Sequence, residues 1–139
     1  MLEEMMVVKS IENYLKTLEF EIINKVESIS SHGVDLIAQS PKTKTRLNVE
    51  AKGQTSSIPT TNRFGKEFTR NQKRDHLGKA LLKSCEFIQK NEVGAIALPN
   101  DPVDRELIYS ITNAIDRLGI IVFLVDENSA VTVFGKLPL

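Results

Sequence analysis

The 139 residues contain no Trp, two His and a single Cys. With Cys85 alone an internal disulfide is impossible, and a cysteine-built zinc site lacks its thiolates. Six Phe and two Tyr are the whole aromatic supply, so Ile, Leu and Val must fill the core. No run approaches the roughly 20 apolar residues that span a bilayer. Met1 to Ser10 lacks the basic start and apolar stretch of a secretory leader. Internal repeats, low-complexity runs and glycine-serine linkers are missing too, so residues 1–139 read as one domain. These absences point to a cytoplasmic protein without a membrane partner. What remains is an ordinary globular composition, 41% hydrophobic and 26% charged, which excludes a disordered tail, a collagen-like fibre and a coiled coil.

The formal net charge is zero, but its distribution is uneven. Between Arg63 and Lys83 lie seven basic residues and two acids, a balance of +5, against 11 basic and 16 acidic residues elsewhere. Segregated charge of this kind steers a polyanion to one face of a neutral molecule. The plainer alternative is a solvated loop and helix face.

Periodicity sets the order of elements. Val8, Ile11, Leu15 and Leu18 recur at helical spacing within Glu3 to Leu18. Phe20 to Ser28 predicts a strand, ended by Ser30-Ser31-His32-Gly33. Val34 to Ala38 is a short apolar strand, and Pro41 to Thr45 a polar turn. Arg46 to Lys52 alternates, with Leu47, Val49 and Ala51 opposite Asn48, Glu50 and Lys52. Gln54 to Asp75 is polar, basic and too long for an ordinary connection. A helix is predicted from Gln72 to Lys90, its inner stripe Leu77, Ala80, Leu81, Cys85 and Ile88, which makes Cys85 an inert core thiol. Gly94 to Leu98 is a strand buried on both faces. Asp101 caps a helix that Pro102 begins and Gly119 ends. Ile120 to Val125 is a second buried strand, and Val131 to Phe134 an edge. The sum is an α/β protein with a mixed sheet and helices on both faces.

A hairpin centred between Lys42 and Thr43 pairs residues whose numbers sum to 85, setting Asp35 opposite Glu50. Asp35, Glu50 and Lys52 then share one face near the sheet's end. Two carboxylates across a ladder repel unless a cation sits between them, and a hard divalent metal suits oxygen ligands. The alternative is a surface ion pair between Glu50 and Lys52, with Asp35 in a turn.

Gly33-Val34-Asp35 followed by Glu50-Ala51-Lys52 on the next strand resembles the signature of the PD-(D/E)xK nucleases, the restriction endonuclease-like superfamily. The flavour is nearest to its small Holliday-junction resolvase-like and Mrr-like members. The resemblance implies a three-layer α/β/α fold with a central mixed β-sheet: an αβββαβ core, here extended by a C-terminal helix and strands. It implies Mg²⁺, with Mn²⁺ as substitute, held by Asp35, Glu50 and the main-chain carbonyl of Ala51, and Lys52 activating the attacking water. Relatives often add a glutamate from the first helix, for which Glu12 is the candidate, although it stands closer to the following Phe20 than the family's glutamate does to its aromatic. They also often place a Gln early in the second core helix, for which Gln72 is the candidate. Val34 replaces the proline of the motif's name.

The resemblance implies hydrolysis of DNA phosphodiester bonds, catalysed by Asp35, Glu50 and Lys52. Arg63, Lys66, Arg70, Gln72, Lys73, Arg74 and His76 are the expected DNA contacts, a sequence-independent and salt-sensitive grip. Double-strand cleavage needs two active sites, which makes a homodimer the expected assembly. His32 reads as a turn residue. Neither a zinc site nor a Ser-His-Asp triad has motif support, and Gly78-Lys79 has no upstream glycine to make a phosphate loop. Two other readings stay open: a nuclease-fold protein that binds DNA or assembles without cutting, and a small metal-dependent enzyme acting on a non-nucleic substrate.

Overall fold

Val7, Val8, Ile11 and Leu15 are all buried on one stripe of the first helix, α1 (Glu4–Thr17). Their three- and four-residue spacing is what makes that segment helical in context. The computed structural model describes residues 1–25, 33–56 and 58–139. Within them the strands are β1 (Glu21–Lys25), β2 (Leu36–Gln39), β3 (Arg46–Ala51), β4 (Val93–Pro99), β5 (Ile121–Val125) and β6 (Val131–Phe134). The remaining helices are α2 (Arg70–Gln89), α3 (Pro102–Tyr109) and α4 (Thr112–Leu118). The predicted continuation of β1 to Ser28, and His32 with its turn, lie outside the described residues.

The strands form one mixed sheet in sequence order, β1-β2-β3-β4-β5-β6. β1–β2, β2–β3 and β5–β6 are antiparallel, whereas β3–β4 and β4–β5, each joined through helices, are parallel. Side chains alternate between two cores. Leu36, Ala38, Leu47, Val49, Ala51, Ala95, Ala97, Ile121 and Phe123 pack with α1. Ile96, Leu98, Val122 and Leu124 pack with Leu77 and Ala80 of α2, Leu107 and Ile108 of α3, and Ile115 of α4. Every residue of β5 is therefore buried, because both faces of this interior strand are covered. The result is the predicted α/β/α layering. Among the described residues no helix is long and apolar enough to cross a membrane.

Two details of the helices differ from the sequence reading. α2 turns Leu77, Ala80 and Ser84 inward and leaves Cys85 exposed, so Cys85 is no core thiol. The reason is a close approach. A Cβ on Gly94 would stand 2.8 Å from the Cα of Ser84, so α2 is seated on β4 where β4 has no side chain. The single predicted helix from Pro102 divides at Ser110–Ile111. There the hydroxyls of Ser110 and Thr112 bond the carbonyls of Leu107 (2.6 Å) and Ile108 (3.2 Å), and Ile111 leaves helical geometry (φ −128°, ψ 20°).

Candidate functional site

The β2–β3 ladder has the predicted register: Leu36 faces Val49, Ile37 faces Asn48, and Gln39 faces Arg46. It is closed by a four-residue loop rather than a two-residue turn, with Ser40 N–H donating to the Thr45 carbonyl at 2.9 Å. The loop is centred where the shorter turn would be, so the pairing is unchanged. Continued one residue beyond Leu36, the register sets Asp35 beside Glu50, and both are buried. The Ala51 N–H donates to Asp35 Oδ2 at 2.8 Å, which fixes that carboxylate against the exit of β3.

Glu50 Oε2 is buried without a hydrogen bond. Its nearest cation is Lys83 Nζ at 3.6 Å, while Lys52 Nζ lies 3.7 Å from Oε1. Lys83 reaches this point from the far end of α2 and also donates to the Gly33 carbonyl at 3.3 Å. Burial raises both acids above the usual carboxylate range. Ala51 N–H, Lys52 and Lys83 oppose the rise at Asp35, and the charge of Asp35 adds to it at Glu50.

A third acid arrives from α1, and it is Glu4, not Glu12. Burial first, then the charge of Asp35, pushes the Glu4 carboxyl up to about 7, with Lys52 and Glu50 also acting on it. The helix start is seated on the exit of β3. Gln54 N–H donates to the Leu2 carbonyl (2.7 Å), Leu2 N–H donates to Gln54 Oε1 (2.8 Å), and a Cβ on Gly53 would meet Glu4 N at 2.6 Å. Glu12 sits about 12 Å further along the helix axis. Its buried carboxylate pairs with Lys25 (2.9 Å), Lys9 (3.0 Å) and Lys16 (3.7 Å), and the Lys25 contact leads in holding it down at about 2. Glu12 is a structural ion-pair centre and is removed from the candidate ligands. Among the described residues, no three acidic, His or Cys side chains stand as a ready-made ligand shell.

The basic segment does not present one face. Lys73 is buried, held by Glu67 (2.7 Å), Asp101 (2.8 Å) and Asp104 (3.7 Å), so it is withdrawn from any polyanion. Arg70 makes a bidentate pair with Glu106 at 2.9 and 3.1 Å. Gln72 closes a capping box with Thr69 at the start of α2, its amide oxygen accepting from Thr69 N–H at 2.9 Å. Arg74 lines a groove with Leu107 and Ile111. It lies about 200° around α2 from His76. Arg63 and Lys66 stay on the preceding loop, Lys66 exposed. The cationic face turned to the acids is instead Lys79 and Lys83, with the His76 ring on the same stripe of α2, the three spaced three and four residues apart. Burial, then Lys52 and Lys79, lowers the His76 pKa from its ordinary value, which favours the uncharged ring.

No family model and no curated protein matches the chain. Among solved structures it is similar to Pyrococcus furiosus SfsA in complex with Ca²⁺, with a TM-score of 0.39 and 14% identity over 92% of this chain. The chain spans 59% of that protein's chain.

Sequence reasoning missed Glu4 and Lys83 as members of the cluster. The signal for Lys83 was present in its helical spacing from His76 and Lys79. Glu4 needed the seating of α1 on Gly53, which no local pattern carries.

Proposed function

We propose that this protein is a divalent-metal-dependent nuclease that hydrolyses DNA phosphodiester bonds. One observation carries the reading: Asp35 and Glu50 are buried side by side at the end of the β2–β3 ladder, with a Glu50 oxygen that no hydrogen bond satisfies. Ionised together, they are costly without a cation between them. Hard oxygen donors in this number suit Mg²⁺, which is commonly held by one or two carboxylates and keeps much of its water. Asp35 and Glu50, with the Ala51 carbonyl, would hold it. When bound, the metal neutralises charge on the phosphate and lowers the pKa of water.

The chain's own residues supply the rest. Lys52 orients the attacking water or stabilises the charge that builds on the phosphate oxygens. Lys79 and Lys83 hold the strand by its backbone, and Arg63 and Lys66 extend that grip along the loop. Cutting both strands of a duplex calls for two copies, so a homodimer goes with this reading.

A protein of this fold that binds DNA without cutting it is favoured by one observation. Lys52 and Lys83 approach Glu50 closely enough to offset part of its charge with no metal. Cleavage assays on plasmid, linear and branched DNA with Mg²⁺ or Mn²⁺, beside EDTA and Lys52→Ala controls, test the first reading. Metal-dependent cutting that Lys52→Ala abolishes supports it. No cutting, together with no Mn²⁺ binding by calorimetry, overturns it in favour of the second.

A further inference from the structure

Beside Lys52 the surface opens into a cleft of about 180 Å³ whose aromatic and aliphatic walls have no part in the hydrolytic reading. Glu4 and Lys52 border it, and Phe68, His76, Thr55 and Ile58 are among the residues that line it. Phe68 and His76 meet edge to face, ring centroids 4.6 Å apart and planes at 86°. Ile58 is 45% exposed, an apolar side chain left in water on a polar loop.

This lining is a built surface. Phe68 N–H donates to the Gln54 carbonyl at 2.7 Å, and bridges join Thr55 to Glu67 and Ser56 to Phe64, so the two ends of the long loop are tied together. The Thr55 hydroxyl lies 2.7 Å from both the Arg63 and the Lys66 carbonyl and donates to one at a time. The cleft thus combines two rings and an aliphatic side chain with a carboxyl and an ammonium group, around a space of the order of a single ring system. Nucleobases offer π-faces for such walls and donor and acceptor edges for such polar groups.

We propose that this cleft receives one unstacked nucleobase of the DNA strand held at Asp35 and Glu50. The preferred substrate then carries an unpaired or extruded nucleotide, as at a bulge, a flap, a junction or a single-stranded end. This inference rests on DNA being the polymer bound at the neighbouring acids. A strand whose phosphate lies over the carboxylate pair has its adjacent base within reach of the cleft, and extrusion costs least where the base is already unpaired. The His76 ring, set edge to face against Phe68, offers that base an aromatic surface.

Fluorescence anisotropy in EDTA separates binding from cutting. Three labelled duplexes are compared: fully paired, with one bulged nucleotide, and with an abasic residue in place of that nucleotide. The base-bearing bulge is expected to bind about tenfold tighter than the abasic one, within the range of one stacked base. Phe68→Leu and Ile58→Ser should each bring the two bulges to within about threefold, the size of a lost partial contact. Ile58 is exposed, so its variant reports even where Phe68→Leu fails to fold. Equal affinity for the base-bearing and abasic bulges overturns the proposal, as does a preference that survives both variants or an absence of DNA binding. The base preference without metal-dependent cutting sinks the nuclease reading and leaves the cleft assigned. Cutting without the preference does the reverse.

Discussion

Replacing Glu12 with Gln distinguishes a structural carboxylate from a catalytic one. The folded chain holds Glu12 at about 2 against an ordinary 4.5, with the Lys25 contact foremost. A depressed acid contributes stability that is fully present above its unfolded pKa and is lost as pH falls toward the folded value. At about 1.4 kcal/mol per pH unit, the difference is worth about 3 kcal/mol at pH 7. Lys9 and Lys16 keep side chains 62% and 56% exposed, so water screens part of their attraction. An expected loss of about 2–3 kcal/mol follows. In a domain of this size that lowers Tm by roughly 6–10 °C. Urea unfolding of both proteins at pH 7 and pH 3 reads it directly. At pH 3 the gap should shrink to about 1–1.5 kcal/mol, because the native carboxylate has begun to lose its advantage. Cleavage per folded molecule should be unchanged. Equal gaps at the two pH values, or a stable variant that no longer cuts, would refute the assignment of Glu12 to structure.

Other expectations follow from the same geometry. Burial, reinforced by Asp101, raises Asp104 to about 8, so the folded chain keeps a proton that the unfolded chain releases near pH 4, and stability falls as pH rises between those values. Asp104→Asn should therefore raise the urea midpoint at pH 8.5 and leave it nearly unaltered at pH 4. Gly94→Ala drives a Cβ to within 2.8 Å of the Ser84 Cα and Cβ, and should cost about 1–3 kcal/mol in urea unfolding. Glu50→Gln removes a carboxylate that burial and Asp35 both disfavour. It should abolish cleavage while raising the urea midpoint, with a gain that grows from pH 5 to pH 8. Lys83→Met should weaken DNA binding and flatten its salt dependence by about one ion, measured as the slope of log affinity against log salt.

The ladder from Leu36 to Val49 was legible in the sequence because alternation and the length of a hairpin are local properties. Asp35 and Glu50 inherit their juxtaposition from it, so the acidic pair was legible too. Glu4 joins them only through the contact of Leu2 with Gln54, 52 residues away, and helical periodicity says nothing about that. Charge counting failed for a related reason. Lys73 and Arg70 belong to the basic run, but besides Glu67 their acids are Asp101, the cap of α3, and Asp104 and Glu106 on α3, which reach them only after folding. Ser84 displaced Cys85 from the core because contact with Gly94 was decided by backbone clearance, which hydrophobicity does not encode.

The division of the site between a local hairpin, which brings Asp35 and Glu50, and two distant helices, which bring Glu4 and Lys83, has a kinetic consequence. β2 and β3 need only a four-residue loop to meet, so they can pair while Asp35 and Glu50 still face water. The desolvation that sets those carboxyls against each other arrives when α1 and α2 close over the sheet. Their repulsion then weighs on the native state more than on an early, hairpin-centred transition state. Relief of that repulsion in Glu50→Gln should accordingly appear on the unfolding arm of the chevron, as a slower escape from the folded state, with refolding barely altered. The tension a hydrolytic centre would require is thus loaded late, and it shortens the lifetime of the folded molecule without delaying its formation.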